Sequence, residues 1–169
     1  PVTAVVQQLL TAAMTAGRAL TAGEVSGITA VLLSETATVE SKADLLTAWA
    51  DKGETPEEIA VLARALRERA VTPVIEPDLR TRGILDVVGT GGDRSGTFNV
   101  SSCSSIVAAA AGVLVAKHGN RAVTSKTGSA DVLDALGVPI ELEPALAVRM
   151  LRERGFAFFY APRYHPAFR

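Results

Sequence analysis

A glycine-rich segment, "LDVVGTGGDRSGTFNVSS" (residues 85–102), has the composition of a phosphate-binding loop. Glycine N–H groups approach a phosphate closely because no Cβ atom intervenes, and a following helix adds its positive N-terminal end. Two common templates do not fit. A Walker A loop needs Lys followed by Ser or Thr where Thr97-Phe98 stands, and a dinucleotide fingerprint needs glycine at Arg94. The segment is therefore a phosphate cradle of another kind or a flexible turn between a strand and a helix.

Polar side chains directly after the glycines favour the phosphate interpretation. Asn99, Ser101 and Ser102 lie where the first turn of the next helix is expected to begin. Amide and hydroxyl oxygens suit Mg²⁺, which keeps several waters and binds through few protein ligands plus substrate phosphates. The alternative role of the two serines is N-capping, and the two roles are compatible.

A second polar cluster, "KHGNR" (residues 117–121), also follows an expected strand. Ligands of open parallel sheets bind beyond the carboxyl ends of the strands, so both clusters are expected to face one crevice. Lys117 and Arg121 supply cationic contacts for phosphate or carboxylate, and Asn120 can orient a planar substrate. His118 is either a general acid or base or a simple hydrogen-bonding group.

The segment "TSKTGSAD" (residues 124–131) adds hydroxyl groups and is expected to open another helix. Ser129 is the expected N-cap, with Asp131 in the first turn, where a negative charge is favourable. Lys126 either reaches a phosphate or is an ordinary surface lysine.

Aromatic residues are concentrated at the end of the chain, in "FAFFYAPRYHPAFR". Alternation of Phe156, Phe158 and Tyr160 predicts a half-buried strand and requires no ligand. Tyr164, with His165 and Phe168, falls in a proline-bounded loop, where aromatic side chains are less easily explained as core. Such a loop is able to wall a pocket for an aromatic substrate.

Residues before position 72 predict helices alone. Thr21 with Glu24, and Thr55 with Glu58, have the spacing of capping boxes, and Pro56 stands at the first helical position of the second. Three apolar stripes are expected to face a core: Val5, Val6, Leu9, Leu10, Ala13 and Met14; then Leu45, Leu46 and Trp49; then Ile59, Leu62, Ala63 and Leu66.

From residue 84 onward, short apolar runs alternate with helical patterns, which predicts parallel βαβ units. Residues 72–83, with Pro73 and Pro77, have the composition of a linker. The predicted fold is a helical lobe (1–71), this linker, and the first part of a parallel-sheet α/β domain (84–169). The expected strands are 84–88, 113–116 and 156–160, and the expected helices between them are 102–111, 129–136 and 144–154.

Composition narrows the class of protein. Hydrophobic residues make up 48% of the 169 residues and the formal net charge is −1, which favours a folded core and disfavours nucleic-acid binding. A single cysteine, Cys103, excludes a disulfide framework and is typical of a reducing cytoplasm. The most apolar run, Ile106–Ala116, is about half the roughly 20 residues of a membrane span, so no membrane partner is expected.

Four segments in their order and spacing, "GTGGD…TFNVSS", "KHGNR", "SKTGSADVLDALG" and "FYAPRYHPAFR", closely resemble the anthranilate phosphoribosyltransferase family of tryptophan biosynthesis. The resemblance extends over essentially the whole chain and suggests an N-terminal portion of a family member. It implies Mg²⁺-dependent transfer of a phosphoribosyl group from 5-phosphoribosyl 1-diphosphate to anthranilate. It also implies a homodimer formed through the helical lobe and a cytoplasmic location.

The resemblance assigns roles residue by residue. The implied Mg²⁺ contact is Ser101. The implied donor-binding residues are Gly89, Thr90, Gly91, Gly92, Asp93, Thr97, Asn99, Ser102, Lys117 and Ser129. The implied anthranilate-binding residues are Gly89, His118, Asn120, Pro162, His165 and Phe168.

Some features depart from the family pattern. Family chains are about twice as long, and their acidic second Mg²⁺ site and an anthranilate-binding arginine lie in the later half, so weak or no turnover is expected from these 169 residues alone. Ser102 replaces the usual threonine, and Tyr160 the usual phenylalanine.

Three alternatives stay open. A pyrimidine nucleoside phosphorylase shares the fold, although "KHGNR" disfavours it. A non-catalytic or nucleic-acid-binding relative is expected to be more basic than this chain. The third alternative is an isolated N-terminal fragment or dimerisation module.

Overall fold

The computed structural model describes residues 2–89, 98–122 and 127–168. The chain divides into two compact units, residues 1–70 and residues 71–167. The first unit is helical and the second is a parallel sheet with helices, so the predicted fold class is confirmed. None of the helices in the described ranges has the length and apolar character needed to cross a membrane.

Four helices form the first unit, and their starts follow the capping signals of the sequence. Both predicted capping boxes are present, at Thr21 with Glu24 and at Thr55 with Glu58. Pro56 is the first residue of its helix, where a missing N–H costs nothing. The helices are α1 (Val2–Thr15), α2 (Ala22–Leu32), α3 (Val39–Lys52) and α4 (Pro56–Arg67).

The core of the helical unit buries fewer residues than the three apolar stripes predict. It contains Val6, Leu20, Val25, Ile28, Val31, Leu45 and Trp49. Val5, Met14, Leu46 and Ile59 are about half exposed or more, so their predicted burial is wrong. Periodicity assigns a residue to a face, but only the neighbouring helices decide how much of that face they cover.

A buried carboxylate, rather than an apolar stripe, anchors α4 to the rest of the unit. Glu58 is 1% exposed, and its oxygens accept hydrogen bonds from the backbone N–H groups of Leu20 and Thr55 and from the side chains of Trp49 and Lys52. Burial opposes ionisation, but these four donors prevail and hold the pKa of Glu58 at about 2. The second capping-box residue therefore joins three parts of the helical unit.

Elements of the second unit alternate between strands and helices. The helix 144–154 and the strand 156–160 match the sequence prediction residue for residue. The elements are α5 (Pro77–Thr81), β1 (Ile84–Val88), α6 (Val100–Ala110), β2 (Leu114–Gly119), α7 (Ser129–Ala135), α8 (Pro144–Arg154), β3 (Phe156–Tyr160), α9 (Ala161–Tyr164) and a 3₁₀ helix (Pro166–Phe168).

The segment predicted as a linker contains a helix. Pro77 opens α5 instead of interrupting the chain, and Leu79 is fully buried in the core of the α/β unit. Arg152 of α8 forms ion pairs with Glu76 and Asp78 at the start of α5. A proline at the first position of a helix and a proline in a linker look alike in sequence. For this reason the sequence predicts a linker where the structure has a helix.

The sheet has the order β1-β2-β3, and both pairings are parallel. β2 is longer than predicted because it continues through Lys117, His118 and Gly119. β3 is buried on both faces, with Ala157, Phe158 and Phe159 all nearly inaccessible, and is not the half-buried strand that its alternation predicts. Two clusters of apolar side chains cover the two faces, which is typical of a parallel sheet.

We expect Glu58→Gln to destabilise the helical unit by about 3–5 kcal/mol, because the ammonium of Lys52 then loses its buried counter-charge. The amide also places two donors among four existing donors. Urea denaturation followed by Trp49 fluorescence measures the effect directly, since Trp49 is the only tryptophan and donates to Glu58.

Glu57→Gln is the matched control, because Glu57 precedes Glu58 in the same helical turn and is exposed. Equal denaturation midpoints for the two variants would contradict the role assigned to Glu58.

Candidate functional site

The carboxyl ends of the three strands bring the predicted clusters to one edge of the sheet. Gly89 follows β1, Asn120 follows β2, and His165 follows the short helix α9 after β3. The register aligns Val88, His118 and Phe159 side by side near the carboxyl ends of the three strands. Residues far apart in sequence thus meet at the edge where parallel sheets bind ligands.

Gly89 and the first turn of α6 are in close contact. A Cβ atom at Gly89 would lie 2.8 Å from Oγ of Ser101, so a side chain at this position would force the Ser101 hydroxyl to move. α6 begins at Val100 with Asn99 as the N-cap, and the alternative role of Ser101 and Ser102 as N-caps is therefore wrong. Both serines lie inside the first turn, and the hydroxyl of Ser101 faces the end of β1.

The second serine carries an unsatisfied hydroxyl. Oγ of Ser102 is buried and has no hydrogen-bond partner among the described residues. Asn99 is half-buried, and its side-chain N–H₂ donates to Oγ1 of Thr127 at 3.5 Å. The hydroxyl oxygens of Ser101 and Ser102 and the amide oxygen of Asn99 are hard ligands, which suit an Mg²⁺ ion held chiefly by substrate phosphates. No group of three His, Cys, Asp or Glu residues within the described ranges forms a cage for a metal.

Lys117 is fully buried rather than open to solvent. Its ammonium donates to the carbonyl oxygens of Val87 at 3.2 Å and His118 at 2.6 Å. Burial lowers the pKa of Lys117, and the nearby carboxylate of Asp86 opposes that shift. The lysine therefore joins the ends of β1 and β2, which is where the predicted donor site lies.

His118 lies among aromatic rings. Its ring stacks on Phe159 with centroids 6.0 Å apart and meets the edge of Tyr164 at 6.1 Å. The ring of His165 is 5.2 Å away, so the only two histidines of the chain are neighbours. Nε2 of His118 is buried and has no hydrogen-bond partner in the described part of the chain. The hydrogen-bonding capacity of this nitrogen is therefore unused within the described residues.

The charge state of His118 is set by its surroundings. Burial lowers the pKa of His118, Asp86 raises it, and His165 and Lys117 lower it further. The net direction is downward, so the neutral ring is favoured near neutral pH. A neutral imidazole offers one nitrogen as an acceptor.

Asn120 and Ser129 are brought together at the base of the segment that links β2 to α7. The carbonyl of Asn120 accepts hydrogen bonds from the N–H of Ala130 at 3.1 Å and the hydroxyl of Ser129 at 3.4 Å. Gly128, not Ser129, is the N-cap of α7, so that prediction is wrong. Ser129 begins the helix and turns its hydroxyl back toward the end of β2.

Arg121 is ion-paired within the protein. Its guanidinium contacts the carboxylates of Asp131 at 3.0 Å and Asp134 at 3.3 Å, and these hydrogen bonds raise its pKa. The sequence interpretation treats Arg121 as a cation for substrate phosphate or carboxylate. In the structure its charge is instead directed to α7.

The loop after β3 combines core and site residues. Tyr164 is 2% exposed and packs in the core, so the prediction that it walls a pocket is wrong. Pro162 and His165 are half-buried, and Pro162 lies in the first turn of α9. The backbone of Phe168 ends the 3₁₀ helix, and its side chain lies outside the described part of the structure. The predicted donor residues Thr90, Gly91, Gly92, Asp93 and Thr97 also lie outside the described residues.

Two family models match the chain. The helical bundle domain of a glycosyl transferase family matches residues 8–70, and the α/β domain of a glycosyl transferase family matches residues 81–169. The chain belongs to this glycosyl transferase family. Its two matched domains correspond in type to the helical and α/β units of the structure.

The chain is similar to anthranilate phosphoribosyltransferases. The enzyme of that name from Chloroflexus aurantiacus is 46% identical over 94% of this chain and 45% of its own length. The one from Methanothermobacter marburgensis is 56% identical over 74% of this chain and 35% of its own. The chain therefore spans less than half the length of these curated relatives.

Solved structures of the same family share the fold. The anthranilate phosphoribosyltransferase from Thermus thermophilus is 42% identical, with a TM-score of 0.76, over 94% of this chain and 47% of its own. The enzyme from Saccharomyces cerevisiae, solved in complex with PRPP and Mg, is 26% identical, with a TM-score of 0.82, over 97% and 48%.

Sequence reasoning missed some roles that residues have through contacts rather than through their own chemistry. Phe159 and Tyr164 enclose His118, and Asp131 binds the backbone on both sides of its loop. The sequence signals for these roles are weak, because an aromatic strand residue and a first-turn aspartate are both common. The one signal that could have indicated these roles is that the three residues lie within the family motifs of the sequence.

We expect the pKa of His118 to lie below its ordinary value of 6.5. His165→Gln removes an imidazole whose electrostatic interaction lowers the pKa of His118 and should therefore raise it, whereas Asp86→Asn removes a carboxylate that raises it and should lower it further. Proton NMR titration measures both shifts, and the His165→Gln variant assigns the signal, since it leaves one histidine. Shifts in the opposite directions would contradict the assigned environment.

Proposed function

We propose that this protein transfers the phosphoribosyl group of 5-phosphoribosyl 1-diphosphate (PRPP) to anthranilate in tryptophan biosynthesis. The products are N-(5-phosphoribosyl)anthranilate and diphosphate. The observation that carries the proposal is the convergence of Gly89 with Ser101, His118 and Asn120 at one edge of the sheet. Membership of the family and the yeast relative's complex with PRPP and Mg support it.

The reaction needs positioning and charge stabilisation more than a strong base. The bond between ribose C1 and the diphosphate oxygen breaks, and its electron pair leaves with diphosphate. A bond from the anthranilate nitrogen to C1 forms, and that nitrogen releases a proton to solvent. The developing positive charge on the ribose and negative charge on diphosphate are stabilised by donors and cations that are already in place.

On the donor side, the end of β1 and the first turn of α6 supply the contacts. Gly89 allows the diphosphate to approach the backbone, and Asn99, Ser102 and Ser129 offer polar groups. The donor-binding roles of Thr90, Gly91, Gly92, Asp93 and Thr97 remain predictions from the family resemblance. Lys117 adds positive charge at the ends of β1 and β2, through an ammonium held by the carbonyl oxygens of Val87 and His118.

The hydroxyl of Ser101 is the proposed Mg²⁺ contact, because it is a hard oxygen at the expected position of the diphosphate. When bound, the ion neutralises charge on the diphosphate leaving group. Substrate phosphates and water would supply the other ligands of the ion.

On the acceptor side, His118 and His165 are the proposed contacts of the anthranilate ring, and the buried rings of Phe159 and Tyr164 support His118 from within the core. Nε2 of His118 is an available acceptor for the amino group, and His165 lies beside it. Asn120 is exposed at the end of β2, where its amide can orient a planar carboxylate. Gly89, Pro162 and Phe168 are the remaining proposed anthranilate residues.

We expect Asn99→Ala and Ser101→Ala to weaken PRPP binding in the presence of Mg²⁺ about tenfold each and anthranilate binding less than about twofold. One lost hydrogen bond to a charged group accounts for that magnitude. Titration calorimetry on the full-length protein measures both affinities, and anthranilate-dependent PRPP consumption measures the reaction.

Ser104→Ala is the matched control, because Ser104 is an exposed hydroxyl of the same helix. Unchanged PRPP affinity in both test variants, or no anthranilate-dependent consumption by the wild type, would refute the proposal.

We further propose that the protein is a homodimer formed through the helical unit. Met14 is 63% exposed and lines an open groove between α1 and α3, and the other lining residues are Leu10, Asp44, Thr47, Ala48, Asp51 and Lys52. The exposed apolar side chains of the helical unit, Val5, Met14, Leu46 and Ile59, are suited to cover by a second copy.

Met14→Lys is expected to shift the protein from two chains to one in light scattering, because the added charge would have to be buried in the interface. Val74→Lys, at an exposed valine of the second unit, should leave the dimer intact. A Met14→Lys variant that stays dimeric would contradict this interface.

A further inference from the structure

Asp131 binds both ends of the segment that joins β2 to α7. We call these ends the two legs: residues 120–122 are the first leg and residues 127–129 the second. Its Oδ2 accepts hydrogen bonds from the N–H of Ala122 at 2.9 Å and from the N–H of Gly128 at 2.8 Å. An aspartate at the third position of a helix ordinarily serves the N–H of its own N-cap, which here is Gly128. The bond to Ala122 is different, because it reaches nine residues back along the chain.

The other oxygen of Asp131 extends the same closure. Oδ1 accepts a hydrogen bond from Nη1 of Arg121 at 3.0 Å, and Nη2 of Arg121 contacts Asp134 at 3.3 Å. The side chain of Arg121 and the backbone N–H of Ala122, both in the first leg, therefore form hydrogen bonds with α7. The pKa of Asp131 is lowered, chiefly by the N–H groups of Ala122 and Gly128, which keeps its carboxylate charged.

Glycines let the two legs touch. A Cβ atom at Gly128 would overlap the backbone of Arg121 and Ala122 and would lie 2.6 Å from the carbonyl oxygen of Asn120. A Cβ atom at Gly119 would overlap Oγ of Ser129. The position of Asn120 relative to Ser129 is therefore fixed by direct backbone contact, provided that the legs are held together.

We propose that Asp131 is a positioning residue that holds Asn120 and Ser129 in place at the ligand edge of the sheet. Its carboxylate ties the leg that carries Asn120 to the leg that carries Ser129, and it contacts neither ligand itself. The inference rests on the proposed function in one respect, since Asn120 and Ser129 are there assigned to the anthranilate and PRPP sites. The closure of the two legs stands independently of that assignment.

Three variants of the full-length protein separate the contributions of Asp131. Asp131→Ala removes every contact. Asp131→Asn keeps one oxygen for the two backbone N–H groups and loses the charge that pairs with Arg121. Asp134→Asn is the matched control, because Asp134 also pairs with Arg121 but the described contacts do not join it to the backbone of either leg.

We expect Asp131→Ala to weaken both PRPP and anthranilate binding about tenfold, as the loss of charge-assisted hydrogen bonds predicts. Asp131→Asn should stay within about threefold of the wild type and Asp134→Asn within about twofold, by the same scale. Titration calorimetry gives the affinities. Amide hydrogen exchange by NMR should show faster exchange at Ala122 and Gly128 in Asp131→Ala alone.

Wild-type affinities in Asp131→Ala, or an equal loss in Asp134→Asn, would overturn the inference. Should Asp131→Ala fail to fold, Asp131→Asn decides: protected amides with retained binding support the positioning role, and lost binding assigns it to the ion pair instead. A wild type that binds neither PRPP nor anthranilate would refute the proposed function, while the amide exchange data would still test the closure.

Discussion

The parallel pairing of β2 with both of its neighbours is the constraint on which the candidate site depends. Because all three strands run in one direction, their carboxyl ends meet at one edge, and Val88, His118 and Phe159 lie side by side there. A shift of one residue in either register would turn every side chain of the shifted strand to the other face. The buried ammonium of Lys117 stabilises this register, since it binds one carbonyl on each of β1 and β2.

Buried charge is used in the same way in both units. Glu58 in the helical unit and Lys117 in the α/β unit are almost inaccessible, and each is surrounded by hydrogen-bonding groups of the opposite polarity. Such groups are costly to bury alone, so they stabilise only the arrangement that supplies all their partners. This makes them strong determinants of how helix ends and strand ends are placed.

Local signals in the sequence were sufficient for many elements. Capping boxes fixed the starts of α2 and α4, and the boundaries of α8 and β3 follow from proline, glycine and apolar patterning. Long-range packing was not readable in the same way. Val5 and Ile59 fit apolar stripes yet remain exposed, and Pro77 opens a helix within a segment that resembles a linker.

The sequence by itself determined the family, the order of the elements and the residue types of the site, because motifs and caps depend on neighbours a few positions away. Tertiary structure alone decided what these residues contact. It placed Phe159, Tyr164 and His165 around His118, and it paired Arg121 with Asp131 and Asp134 of α7. Burial and hydrogen bonding between distant segments depend on strand register and helix packing, and one residue's chemistry does not specify them.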